Sequence, residues 1–454
     1  MGKFIQLKKG FTIQLAGKAA PKIVDSIIPD TFAVKPTDFQ GLYMPKPVVK
    51  EGDSVKAGTP LFHDKKFEQV VFTSPVSGEI VEVKRGEKRK LLEIKILADK
   101  KNEYESFRKY TVSDITNLSE EEIKNHLLKA GVWPNLVQRP FGIIADPGAK
   151  PKAIHISAFD SHPLAPEYSI IFKGQDQYFQ AGVDILKRLT SGPVHVNTHS
   201  SSEISTVFSQ VKGAEVNKFS GQHPIGCVGV QIHHLDPINK GDIVWTINPQ
   251  GVIEIGKLFL QGIYDTSRVV ALTGSELNNP QYVKTYAGAS VKKFLEGNLK
   301  NDHVRVISGN VLTGTAIGKD GHLGFFDLQV TVLPEGDHHE FLGWILPTSN
   351  KLSAHRAFGL LSFLSPNKER TLTTNTNGEH RAFVQTGTFE KVTPMDILPT
   401  HLLKSIIAQD IDEMEALGIY EVIEEDLALC EFVDVSKHPV QQMIREGIEL
   451  LQHS

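Results

Sequence analysis

At 454 residues, 40% hydrophobic and 22% charged, the chain is long enough for about three domains with cores of their own, and its composition excludes a disordered or membrane-spanning protein. A formal charge of −4 supplies no positive field for a phosphate backbone, which excludes nucleic acid as a partner. Two cysteines far apart in sequence, Cys227 and Cys430, make no disulfide framework and suit a reducing compartment.

Met1 to Lys9 lacks the apolar run and the small-residue cleavage site of a secretory signal. No window approaches the ~20 apolar residues that cross a bilayer. The longest candidate, Phe358 to Leu364, runs straight into Ser365 and Pro366. Work at a membrane would require another protein to hold the chain there.

Residues 1–105 read as β structure. Short apolar runs at Gly41 to Met44, Gln69 to Phe72 and Glu79 to Val83 are separated by turn-forming Gly, Asp, Ser and Pro. Val49 to Leu61, followed by Ser74 to Ile80, resembles the barrel-sandwich of lipoyl and biotinyl carrier domains, with Gly52 and Gly58 at its tight turns. In those carriers the modified lysine sits on an exposed hairpin at a fixed distance from the turns. Asp64, Lys65 and Lys66 come several residues too early, so the scaffold is expected without its carrier lysine.

Residues 106–265 read as a Rossmann-like α/β domain. Ser119 and Glu122 form a capping box for a helix that buries Ile123, Leu127 and Leu128 and stops at Gly131 and Pro134. Strands at Ala153 to Phe159 and Pro193 to Asn197 flank a helix from about Asp176 to Leu189, which implies a parallel unit. Residues 266–335 have the proportions of a small β-grasp, soluble-ligand-binding module. Its strands run from Arg268, Val304 and Phe325, around a short helix near Gly288 to Leu295. Residues 336–454 read as largely helical. Thr400 is expected to cap a helix that carries Leu403, Ile406, Ile407, Ile411 and Met414 and ends at Gly418; a last helix uses Met443, Ile444, Ile448 and Leu451.

The chain contains no G-x-G-x-x-G turn through which a backbone could approach a pyrophosphate. Between Gly309 and Asp320, Gly314 and the pair Gly318-Lys319 are one residue too close for a phosphate loop. His195 and His199 share a strand face two pleats apart. His223 and Cys227, with His233 and His234, lack zinc-ribbon spacing, and His338-His339 stands as a pair. Structural histidines, and no metal, are expected. Cys430 is one thiolate where an iron–sulfur cluster needs four, so it reads as a buried apolar cysteine.

Longer strings carry more. Phe389 to Thr400, Glu415 to Val433, Ala158 to Ala165, Gly221 to Gly226, Gln231 to His234 and Lys8 to Gly17 resemble the A-subunit family of sodium-translocating NADH:quinone reductases from end to end. That family is similar to the C subunit of the Rnf complex and to the flavin-binding subunit of complex I. Where those relatives have a Gly-rich FMN cradle and cysteine loops, this chain has Ala130 to Phe141, with bulky Trp133 and Phe141, and a lone Cys430 with Asp434 four residues on.

The resemblance implies a peripheral protein at the cytoplasmic face of the bacterial inner membrane, docked chiefly on the membrane-embedded B subunit and carrying no cofactor of its own. NADH, FAD, FMN, riboflavin, an iron–sulfur centre, quinone and Na+ would be handled through other subunits. It also implies quinone or partner contact, for which Phe39, Tyr43, Trp133, Arg139 and Phe141 are candidates, because a quinone ring wants stacking surface and a few donors. The competing readings are a stand-alone flavin- or NAD-dependent oxidoreductase and a noncatalytic carrier or scaffold.

Overall fold

A computed structural model describes residues 2–200, 206–338, 367–383 and 387–453, together with 341–342, 351–352, 354 and 365. The apolar run from Phe358 to Leu364 lies outside the described residues, as does His339 of the histidine pair.

The Rossmann-like expectation corresponds to a seven-stranded sheet. Its spatial order is Phe4–Gln6, Glu215–Ser220, Val194–His199, Ala153–Ser157, Val244–Thr246, Val137–Arg139 and Ile143–Ile144. The first five strands are parallel and the last two antiparallel. The central strands Ala153–Ser157, Val194–His199 and Val244–Thr246 are buried along almost their whole length, whereas Glu215–Ser220 and Phe4–Gln6 toward the edge are partly exposed.

Helices Asp176–Leu186 and Pro249–Gln261 pack together on this sheet. Asn248 caps the second through its side chain, which accepts from Gly251 N, and Gly262 closes it in the left-handed region. Their contact depends on two glycines. A Cβ at Gly182 would overlap the Val252 carbonyl, and one at Gly256 would overlap the Tyr178 carbonyl.

The barrel-sandwich is made by a four-stranded sheet, Thr31–Val34, Leu91–Ala98, Gly78–Arg85 and Ser54–Val55, facing a three-stranded one, Pro45–Pro47, Pro60–Asp64 and Val71–Thr73. Phe32, Leu61, Phe62, Phe72, Ile80 and Ile94 fill the space between them. The expected first unit is not self-contained. Phe4–Gln6 joins the edge of the seven-stranded sheet, and Ala20–Val24 pairs with Gln281–Tyr286 in a fourth, six-stranded sheet. Neither strand has a period-2 signal strong enough to show its partner, because each is an edge strand with much of its length exposed.

The other five strands of that six-stranded sheet lie within residues 267–334. Its last long strand is Gln329–Pro334, not a run from Phe325, because Phe325 and Phe326 turn instead into an aromatic cluster with Phe39. The helix beside it is only Lys292–Leu295.

In the C-terminal part, the single helix expected from Thr400 to Gly418 is two. Pro399–Ala408 starts on its proline, with Thr400 buried inside rather than capping. Gln409 then takes a left-handed conformation, and the Asp410 carboxylate accepts from Glu413 N to begin Ile411–Ala416. Val440–His453 follows the expected stripe. These helices bury a second core, which includes Leu402, Met414, Leu427, Val440 and Ile444 and reaches Cys227 and Val230 of the α/β domain.

Candidate functional site

Strands Ala153–Ser157, Val194–His199 and Glu215–Ser220 are parallel, so the loops that follow them emerge on one side of the sheet. In open α/β sheets this is where ligand crevices form. A cavity of about 530 Å3 lies there, lined by Phe159, Asp160, Ser161, Tyr168, His199 and His223 among others. A more open cleft of about 710 Å3 runs between Lys240 and the C-terminal helices, with Asp396, Asp412, Glu415 and Glu421 on its walls.

Buried amides hold the loops of the first cavity. Asn217 Nδ2 donates to Asn197 Oδ1 at 3.0 Å, Asn197 Nδ2 to Gln231 Oε1 at 2.9 Å, and Gln231 Nε2 to Ser157 Oγ at 2.8 Å and Ile225 O at 3.0 Å. Asn197, Asn217 and Gln231 are fully buried, so each bond replaces water that cannot reach the group. The chain of bonds fixes the start of the Phe159–His162 loop against the Gly221–Cys227 loop. Gly226 N then donates to Ser161 Oγ at 2.8 Å.

This arrangement brings His162 to the pair His223 and Cys227, from which it is distant in sequence. His162 Nε2 lies 3.9 Å from Cys227 Sγ. Ring nitrogens of His162 and His223 and the Cys227 sulfur all lie within 4.8 Å of one another. Asp160 Oδ1 accepts from the His162 backbone N at 2.8 Å and sits 2.6 Å from its Nδ1; His223 Nδ1 lies 3.0 Å from Ser161 Oγ.

Burial works against a charged His162, but the carboxylates of Asp160, Glu425 and Asp426 outweigh it and lift the imidazole above its usual range. Burial and the neighbouring His162 push His223 down to about 3. Burial, reinforced by Glu425 and Asp426, raises the Cys227 thiol well above its ordinary value.

In the sequence, His223 and Cys227 group naturally with His233 and His234. Those two point elsewhere: His233 Nδ1 sits 2.6 Å from Glu421, and His234 Nε2 2.7 Å from Pro394 O. His162 is the member that spacing does not reveal. The usable signal is positional, because Asp160 to His162 and Gly221 to Cys227 both follow strands that become parallel neighbours only through Val194–His199.

The five contact candidates do not converge. Phe39 is buried, with its ring centroid 4.5 Å from Phe72 and 4.8 Å from Phe325. Trp133 is fully buried, donating from Nε1 to Ala145 O at 2.7 Å and meeting Trp245 edge-on at 5.5 Å. Arg139 is buried between Asp426 and Glu425, 2.8 Å from each, and Gly229 leaves room for the Asp426 carboxylate. These three offer no exposed face to a quinone, which corrects their reading as contact groups: packing and ion pairing consume them. Phe141 is half-buried against Tyr420, and its carbonyl accepts from Arg445. Tyr43 alone is open, at 71% exposure.

Three family models match the chain: the NqrA N-terminal barrel-sandwich hybrid domain over residues 5–99, the NqrA second alpha/beta domain over 118–264, and the NQRA C-terminal domain over 269–318. The chain is 40% identical over 443 residues to the Na(+)-translocating NADH-quinone reductase A subunit of Yersinia pestis bv. Antiqua (strain Angola), covering 97% of this chain and 98% of that one. It is 39% identical over 449 residues to the protein of the same name from Neisseria meningitidis serogroup A, covering 99% of each. The Vibrio atlanticus (strain LGP32) counterpart is 40% identical over 449 residues, again 99% of each. Among solved structures, an NAD+-reducing NiFe hydrogenase in the air-oxidized state has a TM-score of 0.39 and 10% identity over 78% of this chain and 67% of that one, too distant to carry an argument.

Proposed function

The chain belongs to the A-subunit family of Na+-translocating NADH-quinone reductases, and from that premise we propose that it is the peripheral member of such a complex, docked on a membrane-embedded partner and active only as part of the assembly. The observation that carries this reading is an end-to-end match in a chain where no described helix is long and apolar enough to cross a membrane. Its place would be the cytoplasmic face of the membrane, chiefly against the B subunit. Electrons from NADH would pass through flavins and an iron–sulfur centre held by other subunits, which also move Na+.

Two features support a chain without flavin or cluster. The segment from Ala130 to Phe141, where relatives of this fold hold FMN, is spent on packing: Trp133 is fully buried and Pro134 and Asn135 are buried beside it. Cys430 is buried 3.3 Å from Thr393 Oγ1, and with Cys227 as the chain's one other cysteine the four thiolates of a cluster are not there.

Quinone or partner contact would fall to Tyr43 and Phe141. Their loops are tied together, since Ile144 N donates to Gln40 O at 3.2 Å, and Met44 and Val48 add exposed apolar surface beside Tyr43.

Affinity capture of the full chain from detergent-solubilised membranes tests the proposal. An integral partner and Na+-dependent NADH-to-quinone activity should come with it, and recovery of the chain alone at low salt would overturn the docking claim. In the captured complex, Tyr43→Ala should raise KM for short-chain quinones while NADH oxidation by an upstream artificial acceptor stays normal. Equal losses in both assays would assign Tyr43 to docking instead.

A further inference from the structure

We propose that His162, His223 and Cys227 form a binding site for a zinc-class divalent cation, with two imidazole nitrogens and one thiolate as ligands and a fourth position open toward the cavity beside Asp160. Among the described residues this is the one trio of such groups whose ligand atoms converge.

The geometry is close to what a tetrahedral ion needs. Metal–sulfur and metal–nitrogen bonds of about 2.3 and 2.0–2.1 Å place ligand nitrogen and sulfur about 3.6 Å apart. His162 Nε2 and Cys227 Sγ stand at 3.9 Å, a few tenths of an ångström from that spacing, and the His223 ring nitrogen lies within 4.8 Å of both, so its ring would have to move inward on binding. Mixed imidazole and thiolate ligation suits zinc rather than the oxygen-seeking cations.

Outer partners already orient both rings. Asp160 holds His162 Nδ1 at 2.6 Å, so that once the ring gives up any Nε2 proton that nitrogen can face the ion beside the sulfur. Ser161 Oγ lies 3.0 Å from His223 Nδ1 and fixes the orientation of that ring. His223 Nε2 is buried and has no hydrogen-bond partner among the described residues, and a bound ion would satisfy it.

Charge points in the same direction. The carboxylates of Asp160, Glu425 and Asp426 act on the trio, and the cation beside them, Arg139, is already shared between Glu425 and Asp426. A divalent ion would supply the missing positive charge. As it binds, the Sγ–metal and two N–metal bonds form, the S–H bond of Cys227 and the Nε2–H bond of a charged His162 break, and their protons pass to solvent, with no change in oxidation state. The Cys227 sulfur lies 3.8 Å from the Glu425 carbonyl and packs in the second core, so the ion would fasten the α/β loops to the C-terminal helices.

The test uses the full chain stripped of metal by chelation under reducing conditions. Zn2+ titrated against a chromophoric chelator should bind at one equivalent. Co2+ should give a thiolate-to-cobalt charge-transfer band with intense tetrahedral visible bands. Cys227→Ser should abolish the charge-transfer band, His162→Gln and His223→Gln should each weaken Zn2+ binding at least tenfold, and Cys430→Ser should leave both unchanged. A wild-type chain without the thiolate band, or a band that survives Cys227→Ser, overturns the proposal. Should Cys227→Ser fail to fold, X-ray absorption of the zinc-loaded wild type decides: one sulfur and two imidazoles support the site, and a shell of nitrogen and oxygen alone overturns it.

Discussion

Single side chains in this protein are governed more by what encloses them than by what they could do in water. Cys430 is enclosed by the C-terminal core, so Cys430→Ser should leave NADH-to-quinone activity of the complex intact and lower the chain's stability by about 1 kcal/mol. Activity lost at unchanged melting temperature would reveal a working thiol. His126 shows the same enclosure with a pH consequence. Its ring lies 4.7 Å from Phe259 and 5.3 Å from Tyr110, and burial, followed by Lys129 and Arg108, depresses it to about 4 from 6.5. A folded-state pKa below the unfolded one gives stability that is fully present above about pH 6.5 and lost as pH falls toward 4. His126→Phe keeps the ring and removes the titration. Its melting temperature should therefore fall less than the wild type's between pH 7 and pH 4, and parallel declines would remove His126 from the account.

At the scale of elements, legibility in the sequence followed how local each determinant is. The capping box of Ser119 and Glu122 lies within one turn, and it forms where its spacing places it, with Gly131 closing the helix. The break at Gln409 is also local: Asp410, three residues before Glu413, is an N-cap signal that the longer apolar stripe masks. Partners of Phe4–Gln6 and Ala20–Val24 could not be read, because strand pairing across more than 200 residues leaves no mark on the strand itself. The cavity-side trio fails to show for the same reason, while Trp133 and Arg139 look like surface groups because a loop of Pro, aromatic and cation reads alike whether exposed or buried.

The pair Asp176–Leu186 and Pro249–Gln261 supplies a test at this scale. Ala in place of a helix-interior Gly ordinarily gains ~1 kcal/mol. At Gly182 the added methyl meets the Val252 backbone, which has no rotamer to yield, so Gly182→Ala should lower the denaturation midpoint. A raised midpoint would mean that the helices can move apart at little cost.

For the molecule as a whole, the proposal that the chain holds neither flavin nor cluster predicts a colourless purified protein. Flavin bands that persist through gel filtration at stoichiometric yield would contradict this. The first strands have a further consequence in time. Residues 4–6 and 20–24 leave the ribosome some 200 residues before Glu215–Ser220 and Gln281–Tyr286, the strands that receive them. At 5–20 residues per second that interval is roughly 10–40 s. The barrel-sandwich strands between Thr31 and Ala98 can close early, but the segment ahead of them must wait unpaired, with Phe4 and Ile23 open to any chaperone or protease nearby. These two segments therefore pair only after the strands that receive them have emerged, and in pairing they tie the barrel-sandwich that follows them to the seven- and six-stranded sheets.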